Sequence, residues 1–496
     1  MKFPTELLYI LFDLADPRPA YRTWKKYLTH IEAENDDGTH NSPEREPPPP
    51  PTQYPHHLAR VCRRWNDVLA GTPQRWNNPI VFLDHDIDET LADLKMSLRL
   101  SQDVPLEVVV DYTRKIEKRG DSLSWPRWGS DISPYRDEEP WRSRAVIEAL
   151  RPHFPRCRNI TFEARFGMSL PSPSKDLSSV SPMLQNLILK CKYDFQHQSD
   201  LLFGGDPAPI PDTNQANFKL TDLSGLTLSG YTVIDACRNF PELIHAAQDS
   251  LTLRNFRTRD SKAADTVPYL LQALSLSCAD IVVHDIDLPL WQPDAPPREP
   301  FQLQGCTTLS ALGDETMRNI LDFVDFYDAG ILIIKRCALP PGASRFRPVD
   351  SLLLIKLSNF PDLADMLSEW DGWHLSITHG PPLNGLLRML ARRRRMGDLS
   401  MDELELNCCT RFSADAMKEL CESRTPDNLG EYSRMDSISV NDIGPVIRTD
   451  DRRWFEERYP DMISWADEMM DSEGNSYYAD RDDMTDVVSG YSDDEE

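Results

Sequence analysis

A short apolar alternation, Leu-x-Leu or its Ile, Val and Phe equivalents, returns along most of this chain. It reads at Leu106–Val110, Ile160–Phe162, Leu187–Leu189, Leu226–Leu228, Leu251–Leu253, Leu274–Leu276, Ile331–Ile333, Leu352–Leu354, Leu375–Ile377, Leu404–Leu406 and Ile438–Val440. A period of two marks a strand buried on one face. Copies lie as close as 21 residues and as far apart as 57, so the repeat is irregular and interrupted. Helical spacing fills several gaps. Asp88 or Thr90 stands where it would cap a helix carrying Leu91, Leu94 and Leu98, and Met317, Ile320, Leu321 and Val324 fall at i, i+3, i+4 and i+7. Further helices are predicted over 361–370, 382–395 and 413–423. Short strands alternating with helices predict an α/β fold of parallel strands and crossover helices. Stacked many times, such units form a solenoid.

Side chains between the apolar ones face away from the core. Lys190, Thr227, Thr252, Arg254, Ser275, Glu405 and Asn407 are the candidate target-facing residues, with Ser229 and Ser376 alongside them. They make a polar strip suited to protein recognition.

Charge and motif content narrow the function classes. The formal net charge is −26 over 496 residues, which argues against nucleic acid as a partner, because phosphate neutralisation needs clustered Lys and Arg. Residues 450–496 hold 17 Asp or Glu against 4 Lys or Arg. The segment 451–496 is therefore predicted to be an acidic, mostly disordered tail. The ten cysteines include no Cys-x-x-Cys pair, so no metal site is expected, and most read as small core residues in a reducing compartment, cytoplasm or nucleus. No apolar stretch approaches 18 residues, and no membrane span is expected. Neither a phosphate-binding loop nor a nucleophile elbow occurs, so no catalytic residue and no cofactor are expected. His284, Asp285 and Asp287 read as structural within their apolar run. Arg392–Arg395 read as the basic end of a helix. Trp125, Trp128 and Trp141 read as pins for a polar insert.

The N-terminal 80 residues follow a different rule. Pro4 stands at a likely helix start, Glu6 in its first turn, and Leu7, Leu8 and Leu11 on one face. Leu58, Val61, Cys62, Trp65, Val68 and Leu69 predict a second amphipathic helix. Thr72-Pro73 closes it and opens a short third one ending near Trp76. Between the first two lies an insert, 17–57, with five consecutive prolines at 47–51. It reads as a linker, with docking of an SH3-like or WW-like partner as the alternative.

Pro4, Glu6, Leu7, Leu8, Leu11 and Phe12, then Leu58, Val61, Cys62, Arg63 and Trp65, then Thr72, Pro73 and Trp76 resemble the F-box. Phe3 stands where that family usually has leucine, and the long insert is of a kind seen in fungal F-box-like chains. Leu184-Leu187-Leu189, Leu223-Leu226-Leu228, Leu271-Leu274-Leu276 and Met401-Leu404-Leu406-Cys409 resemble leucine-rich repeats. The resemblance implies a three-helix F-box at 1–80, a degenerate leucine-rich-repeat solenoid at 81–450 and the acidic tail. It further implies a non-catalytic substrate-recognition subunit of a Skp–cullin–F-box ubiquitin ligase. Pro4, Leu7, Leu8, Leu11, Leu58, Val61, Cys62 and Trp65 would dock the Skp adaptor, cullin would join through that adaptor, and the repeats would hold a target protein. The alternative is a leucine-rich-repeat interaction scaffold outside ubiquitination; a hydrolase is the weaker third reading.

Overall fold

In a computed structural model the chain is an α/β protein whose strands lie side by side, in chain order, in open parallel sheet. The structure describes residues 4–16, 54–112, 133–177, 183–193, 223–257, 266–275, 277, 279–292, 299–340, 346, 349–359, 362–395, 401–423, 435–441, 444–445 and 447–465. It divides into two compact units, Met1–Gly330 and Ile331–Glu496.

The first unit opens with α1 (Thr5–Leu14), α2 (His56–Ala59) and α3 (Arg63–Ala70), then a single 3₁₀ turn at Pro73–Arg75. Its strands are β1 (Ile80–Phe82), β2 (Leu106–Asp111), β3 (Cys157–Phe166), β4 (Asn186–Tyr193), β5 (Leu223–Ser229), β6 (Ala247–Arg257), β7 (Asp280–Asp287) and β8 (Phe301–Ser310). Between them run α4 (Ile87–Leu100), α5 (Ser133–Leu150), α6 (Pro173–Asp176), α7 (Tyr231–Asn239), α8 (Pro241–His245), α9 (Val267–Ser275) and α10 (Asp314–Phe323). Val108, Ile160, Leu187, Leu226, Leu251 and Ile281 stand in one register row across six strands. Each is at most 1% exposed. Every strand thus buries its apolar row only because the next strand carries the same row one ladder step away.

The boundary between units falls within β9 (Val324–Lys335). The second unit continues with β10 (Ser351–Ile355), β11 (His374–Thr378), β12 (Glu403–Asn407), β13 (Ser437–Asn441) and β14 (Ile463–Trp465). Its helices are α11 (Leu363–Met366), α12 (Asn384–Arg395), α13 (Ala414–Ser423) and α14 (Thr449–Arg458). Two complete rows run through it: Leu332, Leu352, Leu375, Leu404 and Ile438, then Ile334, Leu354, Ile377, Leu406 and Val440. All ten are fully buried. Arg393, in the basic run, donates to the carbonyls of Leu367 (3.2 Å) and Trp370 (2.6 Å), so it caps the end of the preceding turn.

Several expectations change. Leu274 belongs to α9, and the strand that follows it is β7, built on Ile281 and Val283. Ser275 therefore ends a helix and is not a strand position. Leu-x-Leu cannot separate the two cases, because a buried helix also tolerates i, i+2 leucines. The cap of α4 is Asp86, whose carboxylate accepts from the Glu89 amide at 3.0 Å, not Asp88 or Thr90. Trp141 sits on α5 and is exposed, so it pins nothing; Trp125 and Trp128 lie outside the described residues. Ordered structure runs past the expected domain end at 450. Phe455 of α14 is buried against Trp465, and β14 pairs with β13, which closes the last ladder. From 466 onward the expected tail lies outside the described residues.

One backbone feature repeats and leaves no simple trace in the sequence. The residue two places beyond the second inward strand side chain has a positive φ near 50°. In the first unit these are Asn255, Asp285 and Ala311; in the second, Arg336, Lys356, His379 and Cys408. Its amide bonds onward to the end of the next strand: Arg336 to the Ile355 carbonyl, Lys356 to Thr378, His379 to Asn407, all at 2.9 Å, and Cys408 to Asn441 at 3.1 Å. The left-handed residue turns the chain out of the sheet while keeping one more ladder bond. Asn and Asp tolerate this region, whereas the other five residues carry its usual cost. Ala311 has no side-chain function to lose there. Ala311→Gly should therefore stabilise the protein by about 0.5–1 kcal/mol, and Ala311→Val should destabilise it by more than that. Urea unfolding of the two variants against wild type measures both signs.

Candidate functional site

The N-terminal helices form one packed module. Leu8, Phe12, Ala59, Leu69 and Trp76 make its core, with Leu58, Trp65 and Val68 packed against them. Phe12 meets Trp65 edge-on at 5.3 Å. The Trp76 indole donates to the Leu69 carbonyl at 2.8 Å. Met96 and Leu100 of α4 join the same core. The module and the first strand–helix unit therefore share one interior, with no break at residue 80.

The expected second helix is two pieces. Cys62 is extended (φ −162°, ψ 162°) and separates α2 from α3. Arg60 holds the break on the outside, with its guanidinium 3.1 Å from Glu89 and 2.9 Å from Asp93 on α4. As a result Val61 and Cys62, expected on the buried face, are exposed.

Helix α1 has two apolar faces. Leu8 and Phe12, one turn apart, are buried in the module. Leu7, Ile10, Leu11 and Leu14 fall at i, i+3, i+4 and i+7 and are 43%, 55%, 40% and 81% exposed. The candidate docking residues thus divide. Pro4, Leu7, Leu11, Val61 and Cys62 are exposed, Leu8 is buried, and Leu58 and Trp65 are half-buried supports. A helix apolar on both sides packs on one and offers the other.

Arg75 and His56 were missed by pattern reading, because a lone polar residue has no periodicity. Arg75 ties the 3₁₀ turn to α1, with bonds to the Asp13 carboxylate (2.7 Å) and the Tyr54 hydroxyl (2.8 Å), and its guanidinium lies over the Phe12 ring. Tyr54 and His56 thus belong to the fold, although the insert was expected to reach 57; residues 17–53 lie outside the described part. His56 is buried, 2.9 Å from the Ser97 hydroxyl and edge-on to Trp76.

The second candidate surface is the outward side of the strands. In the first unit Lys190, Thr227, Thr252 and Arg254 occupy such positions and are half-buried. Thr227 and Thr252 are register partners, as are Ser229 and Arg254. Among the described residues the Arg254 Nε and the Ser229 hydroxyl are buried without a hydrogen-bond partner, and Ser229 is fully covered rather than outward-facing. In the second unit Glu405 and Asn407 hold outward positions on β12, and Asn441 donates to the Asn407 side-chain oxygen at 3.0 Å. The Ser351 hydroxyl lies 2.7 Å from His374 Nδ1, and His374 Nε2 lies 3.8 Å from Glu405. The Glu405 carboxylate holds the His374 imidazole above its ordinary pKa, and the imidazole holds Glu405 below its own. Serine, histidine and carboxylate in a row suggest a hydrolytic triad, but Ser351 is only 3% exposed. It serves as the polar floor of the face.

Asp285 pairs with Arg257, and among the described residues no three His, Cys, Asp or Glu side chains converge to hold a metal ion. Among the same residues no helix is long and apolar enough to cross a membrane.

Burial pushes the His56 pKa down to about 4, against the nearby Asp93 carboxylate, which favours the cation. The unfolded chain takes up this proton near pH 6.5, whereas the folded chain does so only near pH 4. The stability that neutral His56 supplies is therefore complete above about pH 6.5 and is lost as pH falls toward 4, by up to about 3 kcal/mol. His56→Gln should unfold with a shallower pH dependence across that window, as urea titrations at pH 6.5, 5 and 4 will show.

No protein-family model matches the chain, and comparison with curated proteins returns no match.

Proposed function

We propose that this chain is a non-catalytic target-recognition subunit that docks a Skp-type adaptor, and through it a cullin, by its N-terminal helices. Its strand–helix repeats, read as degenerate leucine-rich repeats, hold a target protein. The observation that carries the reading is the double-faced α1. Leu8 and Phe12 complete the module's interior, while Leu7, Ile10, Leu11 and Leu14 form an outward apolar stripe with Val61 also exposed. An isolated exposed leucine is ordinary; a helical stripe of four is a binding face. The left-handed exit after the seven strands β6 to β12 and the Cys409 thiol, which donates within the strand exits at Ile377 (3.3 Å) and Asn407 (3.4 Å), support the repeat reading. In this role the protein performs no bond chemistry. It raises the local concentration of target beside the ubiquitin-loaded enzyme.

Because Met96 and Leu100 share the module's core, the test uses the full chain. Ile10→Asp with Leu14→Asp replaces exposed residues, so the melting temperature should stay within a few degrees. Capture of the Skp adaptor from a cell extract should fall at least 10-fold. Equal adaptor capture by this variant would sink the proposal.

A further inference from the structure

The outward face of the second unit is not uniformly polar. Ile331, Ser351, His374 and Glu403 form one register row across β9 to β12; Ile333, Leu353, Ser376 and Glu405 form the next. Both rows run in the same order: aliphatic on β9, then hydroxyl or imidazole by β11, then carboxylate on β12. Leu353 and Ile355 add apolar surface on β10, and the exposed Trp373 stands just before β11. Ile331 is 40% exposed although its neighbours Leu332 and Ile334 are fully buried. Apolar residues on both faces of a parallel strand mark a sheet that something else covers.

Charge identifies what covers it. Among the described outward residues of β9 from Ile331 onward and of β10 to β13, the carboxylates are Glu403 and Glu405, and the groups that carry or acquire positive charge are Lys335 at the end of β9 and His374 beside Glu405. A ligand's positive charge is therefore drawn away from β9 and toward β12. Strands lie about 4.8 Å apart, so Leu353 and Glu405, two strands apart in one row, are separated by about 10 Å. An extended peptide covers that distance in about three residues.

We infer that this face binds a cationic peptide segment of a partner protein. An aliphatic or aromatic side chain seats on Ile331, Ile333, Leu353 and Ile355. A Lys or Arg two to four residues away pairs with Glu403 or Glu405. The inference rests on the reading that the repeats hold a protein target and specifies the chemistry of that target. The burial of the aliphatic anchor supplies affinity, and the paired charge fixes direction and register.

Panning a displayed library of random 12-residue peptides on the full chain tests this. It should enrich an aliphatic or aromatic residue spaced two to four positions from Lys or Arg. A synthetic peptide with the selected pattern should bind the Glu403→Lys, Glu405→Lys double variant at least 10-fold more weakly. It should also bind Ile331→Ser several-fold more weakly, a change that leaves the charge alone and serves if the double variant melts early. Acidic selected peptides, no enrichment, or binding unchanged in both variants overturns the inference. Adaptor capture by the same variants keeps the two readings apart. Peptide binding without adaptor capture leaves this site standing and removes the ligase role. Adaptor capture with acidic peptides or none does the reverse.

Discussion

The rows of inward aliphatic side chains are the constraint on which the rest depends. Each strand buries one face, and that face is dry only if the strands on either side present matching residues. Leu352, Leu375, Leu404 and Ile438 are fully buried because each has such a neighbour. Register is therefore fixed by a solvation argument: a slip of one residue would carry the whole row to the wet side. The left-handed residue after each of β6 to β12 follows from the same requirement. The chain must leave the sheet abruptly for the helical layer yet keep its last amide bonded to the next strand, and a positive φ at Arg336, Lys356, His379 and Cys408 does both. At the last described strand, Ile463 and Trp465 of β14 continue the two rows, and Phe455 packs against Trp465.

Once the leucines are committed inward, alternation hands the other face to whatever residues lie between them. That face is where chemistry is free to vary, and it does. The first unit places Thr227, Thr252 and Arg254 there. The second places aliphatic residues on β9 and β10 and carboxylates on β12. Ser351, His374 and Glu405 illustrate how alignment by ladder brings together groups far apart in sequence, here around a buried hydroxyl.

The N-terminal module obeys a different packing rule with the same outcome. Its interior is completed by Met96 and Leu100 from α4, while Arg60 and His56 reach Asp93 and Ser97 on that helix. These contacts fix the module on the first repeat as part of one interior. With Leu8 and Phe12 spent on that interior, the second stripe of α1 has no intramolecular partner among the contacts described.

Sequence alone determined what depends on local periodicity. Alternating leucines marked ten of the eleven proposed strands, although on β9 the inward pair is Leu332 and Ile334 rather than Ile331 and Ile333, and the 3.6-residue spacing located helices such as Asp314–Phe323 and Ala414–Ser423 within a few residues. Apolar spacing also located helices near the N-terminus. Tertiary structure decided everything that depends on which neighbour arrives. It placed Leu274 in a helix, broke the second helix at Cys62, turned Val61 outward and Leu8 inward, and assigned Ser275 away from the strand face. A period reports that a residue has a face, not what that face meets. Buried single polar groups such as His56, and the left-handed exits, carry no period at all. Their positions are set by packing partners tens of residues distant, Ser97 and the next strand's carbonyl, which is why they become visible only once the chain is folded.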